Sequence, residues 1–296
     1  MPSFKIEARV AKRLGEIERL LGRWEGAAEH AAPGPREQQA NLLRSAVDTA
    51  GLSGNGCSFQ QATLLLRGRP MLTSAREVLE LENALIAYQR LGSWDPLRQA
   101  DLLEAHAQLM EGLAGDAGQL RRAAGVNEAM RSLFRFASRE KDVPAILTAV
   151  YFHSELIRIR PFSDGNGRVA RLWQRALLAR VSPFFAHAPV ESLLRERQAR
   201  PGLEKGGAPV IEQMLEVLFL ALKRAEGTLH GRAETPEDRL AKARQALSKA
   251  WFPRKAYLSL FPRLSTASAS RDLALGVSGG RLSSRGERAL TEYRFR

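Results

Sequence analysis

Apolar residues recur at helical spacing along most of the chain. Ile6, Val10, Leu14, Ile17, Leu20, Leu21 and Trp24 share one face of a helix predicted over residues 5–30. Ala31, Ala32, Pro33, Gly34 and Pro35 interrupt it. A second run, Gln38 to Val47, ends in a small-residue loop between Gly51 and Gly56. The same periodicity predicts helices over 58–67, 75–91, 97–112, 128–139, 143–159, 167–180 and 208–226. Gly227 to Pro236 is polar and rich in Gly and Glu, which reads as a linker. Beyond it, Arg254 to Phe261 forms a short helix with Tyr257, Leu258 and Phe261 inward, and Pro262-Arg263-Leu264 makes a turn. Ser265 suits the N-cap of a further helix through Leu275, anchored by Leu273. Gly279-Gly280 leads into Arg281 to Phe295, where Leu282, Leu290, Tyr293 and Phe295 fit two short strands. The chain therefore reads as mainly α, with strands only near the C-terminus. Its predicted parts are a helical extension (1–37), a large helical domain (38–226), a linker (227–236) and a small α+β domain (237–296).

Composition agrees with that division. A length of 296 residues favours two cores over one, and 44% hydrophobic with 26% charged residues describes an ordinary globular chain. Most of the apolar mass is Leu and Ala, which favours helices. No run of 18 apolar residues occurs, so no membrane partner is expected. Met1 to Lys5 leads straight into charged sequence without the apolar core of a signal peptide. Cys57 is the lone cysteine, which excludes an internal disulfide and fits a reducing cytoplasm, the expected location.

Charge adds a partner. The net charge is +13, and residues 251–296 hold nine basic against three acidic side chains. An excess so placed points to a polyanion such as DNA.

The candidate chemistry lies in Arg160-Pro161-Phe162-Ser163-Asp164-Gly165-Asn166-Gly167-Arg168-Val169-Ala170-Arg171. An apolar helix enters this segment and another leaves it, so Gly165, Asn166 and Gly167 form a small-residue turn at a helix N-terminus. Backbone N–H groups there lack intrahelical partners, and the helix dipole is positive, which suits phosphate. Arg168 and Arg171, one turn apart, can add forked contacts to phosphate oxygens. Asp164 is placed to hold a divalent cation bridging those oxygens.

Phe162, Asp164, Gly165, Asn166, Gly167, Arg168 and Arg171 match the Fic-family motif HxFx(D/E)GNGRxxR at every defined position but the first. The resemblance continues through Arg171-Leu172-Trp173-Gln174, Pro189-Val190-Glu191-Ser192, Trp94-Asp95-Pro96 and Gly118-Gln119-Leu120-Arg121, spanning about 38–226. It implies a Fic-type helical domain that binds ATP or another nucleotide with Mg²⁺. Its usual activity would be AMP transfer to a target hydroxyl, called AMPylation.

Three departures bear on that activity. Arg160 stands where the family has the histidine that takes the target's proton. A guanidinium stays protonated at neutral pH and has no free acceptor, so it cannot act as that base. His153, two helical turns earlier, and His106 are read as packing residues. Second, Thr49-Ala50-Gly51-Leu52-Ser53-Gly54 resembles the family's autoinhibitory motif with Ser53 in place of its glutamate, opposite Arg171. Third, Ala123 to Asn127 leads almost directly into helix where relatives carry a longer stretch with a target-aligning hairpin flap. Loss of base, brake and clamp together points to a pseudoenzyme.

The C-terminal segment resembles the winged helix-turn-helix often attached to Fic domains, especially in Ser270-Arg271-Asp272-Leu273. In such a module Ser265, Thr266, Ser268 and Arg271 would face DNA, with Lys255, Arg285 and Arg288 near phosphates. The expected function is a catalytically impaired Fic-like protein that regulates through DNA. Its rivals are an active transferase or de-AMPylating enzyme of altered chemistry, and a regulator bound to a protein target or partner Fic protein. A homodimer is compatible with each.

Overall fold

A computed structural model describes residues 7–26, 35–69, 73–139, 142–198, 208–230, 235–247, 250–261, 264–286 and 291–296. It divides into two compact units, Met1–Leu229 and His230–Arg296.

The first unit is helical. Its elements are α1 (Ala8–Gly26), α2 (Pro35–Gly51), α3 (Phe59–Leu66), α4 (Ala75–Gln89), α5 (Gln99–Met110) and α6 (Val126–Arg139). They continue with α7 (Ala145–Ile159), α8 (Asn166–Val181), α9 (Val190–Gln198) and α10 (Ala208–His230). Capping boxes start two of them. Ser58 and Gln61 satisfy each other's backbone N–H groups at α3, and Ser74 and Glu77 do so at α4. The hairpin of α7 and α8 is central, because both helices are apolar on several faces: Phe152, Leu156, Leu172 and Trp173 are fully buried. Trp173 Nε1–H donates to the Pro96 carbonyl at 3.0 Å, joining α8 to the turn before α5.

The N-terminal helix is part of this core. Ile17, Leu20 and Trp24 are buried in the same cluster as the α7–α8 hairpin. Ion pairs Arg13–Glu216 and Arg23–Glu226 attach α1 to α10. The helix α10 runs to His230, through residues 227–230 that read as linker from the sequence.

The second unit has a core of its own around Tyr257, Leu273, Leu282 and Phe295. It comprises α11 (Pro236–Leu247), β1 (Phe252–Pro253), α12 (Arg254–Leu260), α13 (Thr266–Ser278), β2 (Leu282–Arg285) and β3 (Glu292–Phe295). The sheet is antiparallel in the order β1-β3-β2, with Phe252 opposite Tyr293 and Leu282 opposite Phe295. Where two strands are expected, the described residues thus form three. The extra one is two residues long, too short to leave a periodic trace. Among the described residues, no helix is long and apolar enough to cross a membrane.

Candidate functional site

The site forms where α7 ends and α8 begins. Arg160 caps α7 in the left-handed region at φ 48°, its N–H donating to the Leu156 carbonyl at 3.0 Å. Pro161 prevents continuation of the helix. Arg121 then clamps the exit. Its backbone N–H donates to the Pro161 carbonyl at 2.8 Å, Nε to the Arg160 carbonyl at 2.5 Å, and NH2 to the Ile159 carbonyl at 3.2 Å.

The loop is anchored from below by a histidine. Phe162, 2% exposed, stacks on His106 with ring centroids 3.6 Å apart. His106 Nδ1 accepts from the Gly118 N–H at 2.9 Å, so its proton lies on Nε2 and is donated to the Asp164 carbonyl at 3.0 Å. Burial pushes the His106 pKa down, which keeps the ring neutral. The packing role read from sequence for His106 is therefore that of a two-sided loop anchor. His153 is also kept neutral: burial, reinforced by the Arg171 charge, lowers its pKa to about 3, and its Nδ1 has no hydrogen-bond partner.

The turn itself divides its labour. Gly165 takes φ 74°, and a Cβ there would lie 2.6 Å from Met110 Sδ, so glycine is required both by conformation and by space. Asn166 does not adopt an unusual dihedral. It is the first residue of α8, and its side chain is spent on the loop, accepting from the Phe162 N–H at 3.0 Å and donating to the Phe162 carbonyl at 2.9 Å. The first helical backbone bond is Val169 N–H to the Gly165 carbonyl, so the N–H groups of Asn166, Gly167 and Arg168 precede the ladder. Asp164 Oδ1 accepts from the Gly165 N–H at 2.6 Å.

The two motif arginines have different surroundings. Arg168 is buried, with NH2 donating to Glu80 Oε1 at 2.9 Å, while its Nε has no partner. Among the described residues Arg171 hydrogen-bonds to α2 and the turn after it: Nε donates to Thr49 Oγ1 at 2.8 Å, and NH2 to the Thr49 carbonyl and Ser53 Oγ, both at 3.0 Å. Ser53 thus faces Arg171, its uncharged hydroxyl accepting from the guanidinium. Arg160 is exposed, and its guanidinium has no hydrogen-bonded partner among the described residues.

Arg160, Asp164, Gly165, Asn166, Gly167, Arg168 and Ser53 line one cleft of about 430 Å³. Gly54, Asn55, Arg76, Glu77 and Glu80 complete its wall, the last four not foreseen from the sequence, and Arg171 is not part of it. The residues present fit a phosphate ligand: the donors at the start of α8 and the unpaired Arg168 Nε face an anion's needs, and Asp164 retains an oxygen for Mg²⁺. Among the described residues no group of three or more metal-ligating side chains occurs, so a cation would depend on the phosphates for further ligands.

In the second unit the expected polar contacts are partly committed within the fold. Ser265 caps α13, accepting from the Ser268 N–H at 3.1 Å, and its hydroxyl donates to Ser268 Oγ at 3.0 Å. Arg271 NH2 donates to the same Ser268 hydroxyl at 3.2 Å. Arg285 forks onto Glu292 at 2.9 and 2.7 Å and lies over the Trp251 ring at 4.3 Å. Lys255 and Thr266 are exposed. Arg288 lies outside the described residues.

Residues 96–178 match the Fic/DOC family. Among curated proteins no match is found. Solved structures are more informative. A Fic family protein from Desulfovibrio desulfuricans G20 is similar over 100% of this chain and 98% of its own, with 25% identity and a TM-score of 0.71. A Fic domain containing signaling protein from Bacteroides thetaiotaomicron VPI-5482 covers 74% of this chain with 99% of its own, at 19% identity and a TM-score of 0.57. Fic-1 (residues 134–508) from C. elegans covers 73% with 71% of its own, at 19% identity and a TM-score of 0.58. The anchored turn, the paired arginines and the helical hairpin that carries them are thus the centre of a Fic/DOC family domain over residues 96–178, set in a fold that Fic proteins share.

Proposed function

We propose that this chain is a catalytically impaired Fic protein that keeps a nucleotide-phosphate pocket and regulates through DNA bound by its second unit. One observation carries the first half. The position at the exit of α7 that should present a proton acceptor presents Arg160, whose guanidinium has no lone pair to offer. His106 cannot stand in, because both ring nitrogens are engaged below the loop. His153 is a poor proton acceptor at neutral pH with a pKa near 3. The short connection from Arg121 to α6 supports the same reading, since residues 111–125 contain no strand on which a target segment could align.

ATP or another nucleotide with Mg²⁺ is the ligand this pocket suits, its phosphates on the start of α8 and Asp164 supplying the protein's share of the cation's ligands. Labelled ATP incubated with the chain and lysate should then label no protein. Robust labelling by the unaltered chain would reject impairment. With Arg160→His, labelling is expected to appear if the rest of the pocket is competent.

DNA is supported by the exposed cations Lys255, Arg271 and Arg281 around α12 and α13 and by the local charge excess. A gel shift with upstream DNA in a salt series tests it. Each of Lys255→Ala and Arg271→Ala that removes a phosphate contact should reduce the salt slope by about 0.9. Binding indifferent to both substitutions and to removal of residues 237–296 would leave the second unit without this role. The buried, unpaired Cys57 suits a reducing cytoplasm as the location.

A further inference from the structure

We propose that Glu80 is a built-in occupant of the Arg168 guanidinium that lines the cleft, an intramolecular brake that a phosphate-bearing ligand must displace. This rests on the reading of the cleft as a phosphate pocket. Glu80 lies on α4, one turn beyond the capping box that fixes that helix's start. Its side chain is 8% exposed and that of Arg168 is 7% exposed, so this is a buried pair. The carboxylate is held at three points. Oε1 accepts from Arg168 NH2 at 2.9 Å and lies 3.3 Å from Arg76 Nε, while Oε2 accepts from Asn55 Nδ2 at 3.0 Å. Asn55 is fixed in turn, donating to the Glu77 carbonyl and accepting from the Cys57 N–H, both at 2.9 Å. The clamp on Glu80 is therefore rigid on the Asn55 side and open on the Arg76 side, where the arginine side chain is 60% exposed.

Arg168 is the cleft's buried cation, and a carboxylate and a phosphate cannot both dock on the same guanidinium edge. Their like charges would meet in a region of low dielectric. The Arg168 Nε, buried and without an acceptor, shows that Glu80 satisfies this arginine incompletely. Arg171, by contrast, donates to hydroxyls and a carbonyl and, among the described residues, has no carboxylate hydrogen-bonded to it, Glu191 acting on it only through space. The negative charge that opposes an incoming phosphate thus sits on the first motif arginine. Ligand binding requires the Glu80 side chain to leave with Arg76 toward solvent, and apparent affinity falls by the fraction of molecules in which it has not.

The test uses the full chain and Glu80→Gln, titrated calorimetrically with tripolyphosphate and separately with Mg-ATP, with thermal melts to confirm folding. Glu80→Gln is expected to bind tripolyphosphate about tenfold more tightly than the unaltered chain. Equal or weaker binding of tripolyphosphate by a folded Glu80→Gln overturns the brake. Tighter tripolyphosphate binding with no Mg-ATP binding by either chain upholds the brake and rejects the nucleotide. If Glu80→Gln does not fold, Asn55→Ala removes the Oε2 anchor, together with the bonds Asn55 makes to the Glu77 carbonyl and the Cys57 N–H, and should tighten tripolyphosphate binding about threefold in a variant that melts cooperatively. No tightening there overturns the proposal as well.

Discussion

At residue 160 the backbone turns left-handed, and among the described residues no other non-glycine has a positive φ. That conformation costs an ordinary L-residue about 1–2 kcal/mol, while glycine there loses about 0.5–1 kcal/mol of chain entropy. Arg160→Gly is therefore expected to stabilise the first unit by about 0.5–1 kcal/mol in urea unfolding. Gly165→Ala should do the opposite, by about 2 kcal/mol or more, since φ is 74° and the new Cβ would meet Met110 Sδ at 2.6 Å. This much of the turn was legible, because glycines flanking an asparagine before an apolar run mark a helix N-terminus. Its partners were not. Glu80 reaches Arg168 from 88 residues away, and along α4 it is one acid among Glu77, Glu80 and Glu82, inseparable by spacing from a solvated face. The work of the Asn166 side chain was equally illegible, since its partner is the Phe162 backbone four residues earlier.

Helix boundaries follow local chemistry that a sequence exposes unevenly. The capping boxes at Ser58 and Ser74 have readable S-x-x-Q and S-x-x-E spacing. Gly227 reads as a breaker, yet α10 passes through it, since one glycine in a long helix costs only about 1 kcal/mol. The elements of the second unit are tied by a buried triad. Arg239 forks onto Asp272 at 2.6 and 2.8 Å, and the Tyr257 hydroxyl donates to Asp272 Oδ2 at 3.1 Å, so α11, α12 and α13 meet at one carboxylate. The Asp272 side chain is 2% exposed and that of Arg239 is 11% exposed. Asp272→Ala removes the carboxylate that pairs with that arginine and should cost about 3–5 kcal/mol, lowering the urea midpoint of the unit that contains it. In the first unit Arg175, Glu191 and Tyr88 form a comparable knot, with Arg175 also held by the Ala188 carbonyl and Ser45.

Over the whole chain, acid should be the destabilising direction. His106, His153 and His187 all have pKa values lowered chiefly by burial, so each stays neutral in the fold at a pH where the unfolded chain takes up a proton. A base with a lowered folded pKa contributes its stability above the unfolded value of about 6.5 and loses it as pH falls below that value. Each histidine in that window adds a slope of about 1.4 kcal/mol per pH unit. Glu77 works in the same sense at lower pH: hydrogen bonds from Thr73, the Gly56 N–H and Ser74 hold its carboxyl at about 2, so its contribution fades as pH drops below the usual carboxylate range. Urea midpoints should therefore be flat above about pH 7 and fall steadily below about pH 6. A midpoint unchanged at about pH 5 would show that the histidines charge in place. The division into a large helical unit and a small mixed one was legible from periodicity and from the charge excess beyond residue 251, whereas the two-residue β1 is below what any pattern can register.

Two guanidinium groups lie over the Trp251 ring, Arg285 at 4.3 Å and Arg294 at 4.8 Å from its centroid. The chain's other indoles, Trp24, Trp94 and Trp173, lie buried in the first unit. The second unit consequently carries its own optical reporter. A polyanion that draws those guanidinium groups off the ring alters the indole's surroundings and its emission, while the three sheltered fluorophores supply a constant background against which the change is read.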